Sequence, residues 1–455
     1  MEGASGQESG SMKRSMGPIY LFAMAAATII GPWLVMTNWW ISLTGASIAL
    51  AFVLVGLMCI PIGLVYGELT ATYPKAGGSF IYLERAFGKE ISYWVSWALM
   101  LSYAAVLAFQ LMALMDIIRF LWWPEMTIEV MMILAAIVAF INYLLNTREV
   151  NIGAGVQFVL FLILAVVGFG YSLLFFTSPS FSTSNWEPFF QTGADGFLTA
   201  TALMVTMFFG FEVIPQFAEE SKYPLKKMWK IITAAILFAA TFYGIICLAE
   251  AGMGPFAEII ETPMLGAQLA LDNYGSWLMY LIALANVAAL LTCLIGFWMG
   301  GSRMLLAMGR DNILPKSFAT INKHGVPKTA NFVILIIVLM FILLSGTAWL
   351  ASLFTLMAIG VGITYSVVAL AHIKFSVKNP DLERPYRVPG GIVTGIIALL
   401  CGLLITYFTV AFFTIDVWIL FVIYFAIVGV IRLILGKRKT EDADIPQAPT
   451  NGGSE

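Results

Sequence analysis

Long apolar stretches separated by short polar intervals run from residue 17 to residue 435. A bilayer-spanning helix needs about 20 mostly apolar residues. By that rule the pattern predicts twelve spans: 17–40, 45–67, 91–120, 127–145, 152–176, 194–217, 231–250, 276–302, 329–345, 349–373, 391–413 and 418–435. The third and eighth are long enough to require tilt or extension past the lipid. The fifth, 152–176, is 25 residues without a charge, which argues against a soluble helical bundle. Polar residues 1–15 precede a first helix too long for a signal peptide, so no cleavable signal is expected. Residues 1–15 and 437–455 are expected to be disordered tails.

Composition sharpens this reading. Hydrophobic residues make up 60% of the 455-residue chain and charged residues 11%, against about 25% charged in an ordinary soluble protein. The formal net charge of −2 offers no basic excess for nucleic acid. Cys59, Cys247, Cys293 and Cys401 are scattered through apolar stretches, with neither metal-ligand spacing nor a disulfide framework. A soluble enzyme, a disordered chain and a nucleic-acid binder are thereby excluded, leaving an all-α integral membrane protein. With twelve spans, 23 of the 24 Lys and Arg residues fall on one side, and only Arg119 falls on the other. The opposite intervals carry Glu125, Glu187, Asp195, Glu258, Glu261, Asp272 and Asp416. Basic loops mark the cytoplasmic side. Both termini are therefore expected in the cytoplasm, in a multi-pass protein of the plasma (inner) membrane.

Two spans carry interruptions. The first reads Ala27-Thr28-Ile29-Ile30-Gly31-Pro32-Trp33, and the sixth places Gly210 and Pro215 around Glu212. Each opens a set of five spans, about 180 residues apart. Paired, interrupted helices at corresponding positions point to a transporter's binding site. Unwinding frees backbone N–H and C=O groups that cost several kcal/mol in hydrocarbon unless satisfied, and a small solute or ion can satisfy them. Glu212 can accept a proton, pair with a substrate amine or hydrogen-bond the broken backbone. Asp116 and Arg119 have the i, i+3 spacing of a helical pair. Glu68, at the inner end of the second span, reads as structural. His324 and His372 lie near cytoplasmic helix ends without metal-like partners.

Three motifs extend the argument. ELTATYPKAGGSFIY at 68–82, FFGFEVIPQFAEESKYP at 208–224 and GSRMLLAMGRDNILP at 301–315, followed by Gly325-Val326-Pro327, occur in this order. Together they resemble the signatures of the amino acid–polyamine–organocation (APC) transporters. The resemblance implies a five-plus-five inverted repeat (LeuT-like), with discontinuous helices 1 and 6. Residues 16–375 would hold the transport core, helices 1–10, and residues 376–436 the peripheral helices 11 and 12. It implies a central substrate site at Ile29, Gly31, Pro32 and Trp33 of the first helix and at Val205 to Phe208 of the sixth. The carbonyls of Val205, Thr206 and Phe208 would face a substrate ammonium, and Phe211 would cap the site from outside. Tyr103 and Trp298 are aromatic candidates on the third and eighth helices. The chain departs from the family at the first break, which usually reads Gly-Ser/Thr-Gly. Pro32 has no N–H and Trp33 replaces a glycine, so at least one carboxylate donor is missing. A Trp ring near a carboxylate also suits an amine, since a cation–π contact contributes about 0.5–2 kcal/mol.

Coupling is expected to use protons or sodium. Some proton-coupled relatives carry a fifth-helix Lys, but Gly155 to Val166 has none, with Leu164 near that position. The resemblance also implies candidate sodium ligands at Ala27, Ile30, Ala289, Thr292 and Cys293, although Cys293 puts soft sulfur where an oxygen is preferred. No Walker A loop is present and no other cofactor is expected. The function expected is secondary active transport of an amino acid or closely related small amine by alternating access. A polyamine or organic-cation transporter or exchanger is the alternative. A membrane enzyme would need acid, His or nucleophile pairs at membrane depth, and a channel would need polar periodicity along several helices; neither pattern is found. The partners expected are the small-molecule substrate and the lipid bilayer, with no nucleic acid.

Overall fold

The computed structural model describes residues 14–147, 150–322, 325–346 and 349–444. Residues 1–13 and 445–455, which make up most of the two expected tails, lie outside them, as do Lys13, Arg148, Lys323 and His324. Among the described residues the regular structure is helical, with one isolated bridge between Met16 and Ser221. In chain order the α-helices are α1 (Pro18–Ile29), α2 (Trp33–Thr44), α3 (Ile48–Thr72), α4 (Ser79–Phe87), α5 (Lys89–Trp122), α6 (Ile128–Asn146), α7 (Val150–Phe176) and α8 (Gly193–Met204). The second half adds α9 (Met228–Ala251), α10 (Phe256–Glu261), α11 (Leu265–Tyr274), α12 (Ser276–Arg310), α13 (Lys328–Ser345), α14 (Trp349–Lys378), α15 (Ile392–Ala411) and α16 (Ile415–Asp444). The last helix runs past the expected span end at 435 and through 437–444, the start of the expected disordered tail.

Among the described residues, ten helical segments are long and apolar enough to cross a membrane, with two shorter apolar helices at Pro18–Ile29 and Lys328–Leu344. The expected first span is split at residues 30–32, and its second part joins the next span through a 3₁₀ turn at Gly45–Ser47. The two long spans appear as α5 and α12, of 34 and 35 residues.

Burial separates core from periphery. The most apolar window of α5 is wholly buried, whereas 17% of the α16 window is buried. Leu173, Tyr407 and Leu433 expose most of their apolar surface from α7, α15 and α16. Such a belt is costly in water and suited to hydrocarbon. Inside, α14 packs on α5 and α15, α3 on α9, α12 on α5 and α7, and α1 on α9 and α12.

Residues expected on one membrane face meet one another at one end of the bundle. Arg303 pairs with Glu220 at 2.5 Å, and Arg310 with Glu219 at 3.2 Å. Arg384 pairs with Glu68 at 3.0 Å, and Arg432 pairs with Glu90. The backbone of Ser15 and Met16 donates to the Glu220 carbonyl in the same region. Glu68 is therefore structural, as its position suggested: it also accepts from the Val388 amide at 2.6 Å and faces His372 at 3.3 Å. We call this end the basic face and the opposite end, where Arg119 and Asp116 pair at 3.9 Å, the acidic face.

Candidate functional site

Both interruptions foreseen in the sequence are present, and they touch. α1 ends at Ile29, Ile30 is extended (φ −80°, ψ 106°), and α2 begins after Pro32. In the sixth span, α8 gives way to a 3₁₀ turn at Val205–Phe208, an extended Phe209 and Gly210 at φ 126°. A second 3₁₀ segment then runs from Phe211 to Glu220. A Cβ on Gly210 would lie 2.7 Å from the Thr28 carbonyl carbon. Glycine is thus required there twice, for its backbone conformation and for the contact between the two breaks.

The protein itself satisfies much of the opened backbone. At the first break the Tyr243 hydroxyl accepts from Gly31 N and donates to the Ile29 carbonyl, both at 3.0 Å. Asn286 Nδ2 donates to the Gly31 carbonyl at 3.3 Å, and Trp33 N donates to the same oxygen at 2.9 Å. Cys293 Sγ donates to the Thr28 carbonyl at 3.2 Å and accepts from Gln110 Nε2 at 3.1 Å. The expectation that Ile29 and Gly31 hold backbone groups free for a solute is corrected here. Two neutral side chains from α9 and α12 occupy those groups, because an unpaired peptide at this depth is too costly to leave.

At the second break the stitching group is a titratable carboxyl. Glu212 Oε2 accepts from Gly210 N at 2.9 Å and from the Tyr365 hydroxyl at 2.7 Å. Glu212 is fully buried, its Oε1 has no well-directed donor, and the Tyr103 hydroxyl lies beside it and beside Gln216. Of the three roles open to Glu212, bonding to the broken backbone is the one realised in this structure.

The remaining candidates separate. Tyr103 joins the Glu212 group, its ring edge-on to Phe297 at 5.1 Å. Phe208 packs near Phe52 and Tyr243, beside the first break. Phe211 stacks on Tyr365 at 5.3 Å and meets Tyr66 edge-on. Tyr66 bonds Ser79, near the start of α4, so Phe211 stands on the basic-face side of the break. An outer cap is not its place here, because the 3₁₀ segment that carries it runs toward Glu220. The Thr206 side chain is turned into a lateral recess beside Phe354 and Phe408, and its hydroxyl donates to the Leu203 carbonyl. Trp33 and Trp298 are fully buried, Trp33 edge-on to Phe242 at 5.2 Å.

The sodium candidates come together in part. Thr292 Oγ1 reaches the carbonyls of Ala289 at 2.8 Å and Ala27 at 3.3 Å. Three oxygens thus converge where α1 meets α12. The Cys293 sulfur is directed to Thr28 instead, so it adds no hard ligand. Among the described residues no cluster of three His, Cys, Asp or Glu side chains could hold a metal ion.

Sequence reading missed Tyr243, Asn286, Gln110, Tyr365, Gln216 and Glu250. Five of these sit in or at the ends of long apolar runs, where an isolated polar residue is itself a signal.

Comparison with known proteins identifies the family. A family profile described as "Amino acid permease" matches residues 16–435. The chain is 27% identical over 447 residues to a branched-chain amino acid permease of Bacillus subtilis (strain 168), covering 91% of this chain and 93% of that one. It is 25% identical over 457 residues to a methylthioribose transporter of the same organism, covering 95% of each. A vacuolar cationic amino acid transporter 2 of Arabidopsis thaliana is 26% identical over 353 residues, 71% of this chain and 54% of its own. These relatives are permeases and transporters rather than enzymes. A profile spanning nearly the whole chain, with helices of membrane-crossing length and two touching breaks, places it in the amino acid permease family of the APC superfamily.

Proposed function

We propose that the protein is a secondary active carrier that moves an amino acid, or a closely related small amine, across the plasma membrane by alternating access. In this reading α1 and α2 form one discontinuous span, and α8 with its 3₁₀ segments forms another. Counting these with α3, α5, α6, α7, α9 and α12–α16 gives twelve spans, with both termini cytoplasmic. The first ten form the five-plus-five inverted repeat, and α15 and α16 stand outside it.

The observation that carries the reading is the contact between the two breaks, with a buried carboxylate on one of them. A substrate ammonium would be held by the carbonyls of the Val205–Phe208 turn and by Glu212, since helix C-terminal carbonyls and a carboxylate both favour a cation. The buried aromatic surroundings suit an apolar side chain, in keeping with the branched-chain permease among the relatives. We assign coupling to protons, because Glu212 is titratable while the Thr292 site offers three oxygens at most. A relative in Bacillus subtilis (strain 168), 22% identical, carries the name aspartate-proton symporter.

A second reading has its own support. At the first break Gly31 N and Trp33 N are already engaged, and Pro32 has none. A substrate carboxylate finds few donors there, which favours an amine or organic cation without one.

Counterflow in proteoliposomes separates these readings. Labelled leucine should exchange against internal leucine, and a tenfold excess of the matching decarboxylated amine should compete weakly. Strong competition by the amine establishes the second reading. No exchange of any amino acid or amine removes both.

A further inference from the structure

A second buried carboxylate lies away from both breaks. Glu250, near the acidic-face end of α9, is fully buried. Its Oε1 accepts from the Tyr171 hydroxyl of α7 at 2.8 Å, while Oε2 has no well-directed donor. The groups facing it come from several elements. α7 contributes Tyr171 and α2 contributes Thr37, with Trp33 of α2 beside Tyr171; on its own helix Cys247 lies one turn away. α11 presents Gly266, where a Cβ would lie 2.4 Å from Glu250 Oε1. The acids of the neighbouring α10, Glu258 and Glu261, are exposed. Among the described residues no Lys, Arg or His pairs with Glu250.

This arrangement is unusual in energetic terms. The basic face balances its buried Glu220 with Arg303, and Glu68 with Arg384. Glu250 has only neutral neighbours, and an isolated buried carboxylate costs far more than a paired one. Gly266 lets the short helix α11 lie directly on the carboxyl group, so no room remains for an organic cation. A proton is the one cation that needs no volume. Moreover, α10 and α11 both pack on α2, the helix continuing from the first break. Lifting α11 would open Glu250 to the aqueous side.

We propose that Glu250 is a proton-binding site on the acidic face, covered by α11, and that its protonation accompanies closure of that face. The inference rests on the carrier reading above and adds a proton-sensitive gating site distinct from Glu212. In this scheme Glu250 loses its proton when α11 lifts and regains one before α11 settles again. Tyr171 positions the carboxyl group, and Thr37 and Gly266 define the space around it.

The test uses the full chain in cells or right-side-out vesicles. Wild-type uptake is expected to depend on external pH. Glu250→Gln should flatten that dependence while measurable counterflow persists at equal pH on both sides. Glu250→Gln with a wild-type response to external pH overturns the proposal, as does a wild type indifferent to external pH. Wild-type protein without any counterflow defeats the carrier reading itself, which keeps the two failures distinct. Should Glu250→Gln not reach the membrane, Tyr171→Phe decides the matter. It should move the midpoint of the external-pH response by at least half a unit, about threefold in proton concentration. An unmoved midpoint with retained counterflow contradicts the assignment.

Discussion

The two breaks solve the same problem with different chemistry. Each opens a helix near the centre of the bundle, and each must dispose of peptide groups that hydrocarbon cannot solvate. The first, at Ile30–Pro32, is stitched by neutral groups: the Tyr243 hydroxyl, the Asn286 amide and the Cys293 thiol. The second, at Phe209–Gly210, is stitched by the Glu212 carboxylate with Tyr365 behind it. A neutral stitch has a fixed hydrogen-bonding pattern, whereas a carboxylate changes from acceptor to donor when it takes a proton. The second break therefore carries the means to respond to protons, and the first the means to stay in register while that happens.

Substitutions can break this contrast. The largest effect is expected from Gly210→Ala, which places a methyl group 2.7 Å from the Thr28 carbonyl carbon on a backbone that disfavours side chains. The combined strain and overlap should cost about 3 kcal/mol or more, read as a large fall in apparent melting temperature and loss of uptake. Retained wild-type uptake would show that the breaks do not need to touch. Next comes Glu212→Gln, which keeps an acceptor for Gly210 N but cannot titrate. Proton-driven uptake should fall by about tenfold or more, with a flattened pH profile; an unchanged profile removes Glu212 from coupling. Tyr243→Phe leaves both Gly31 N and the Ile29 carbonyl without their partner. It should destabilise the protein by about 2 kcal/mol in thermal unfolding while leaving the shape of the pH profile intact, which separates the neutral stitch from the titratable one. The smallest effect belongs to Thr292→Ala, with a loss of about 0.5–1.5 kcal/mol and no change in the response to sodium. Loss of sodium stimulation in that variant would reassign the coupling ion.

How far this contrast was legible in the sequence depends on the range of the forces involved. Apolar length and the local meaning of Gly and Pro revealed the long apolar helices and both breaks, since each signal is contained within a few turns of helix. The partners of the broken backbone were hidden, because Tyr243 lies 212 residues from Gly31 and Asn286 lies 255 residues from it. Only packing brings them together. Phe211 was misplaced for a related reason: its neighbour Gly210 fixes where the 3₁₀ segment turns, and that direction is not written in residue types alone. Glu250 was readable in principle, as a lone acid closing an apolar run, but its position at the end of α9 resembles an ordinary interfacial acid. Its significance comes from Gly266 lying over it.

The central claim is that a solute binds where the two breaks meet. Hydrogen–deuterium exchange of the purified protein, with and without a transported amino acid, tests it most directly. The account predicts that saturating substrate slows exchange in peptides covering residues 28–33 and 205–212 above all others. Saturating binding that leaves both peptides unchanged, with protection elsewhere, would contradict it.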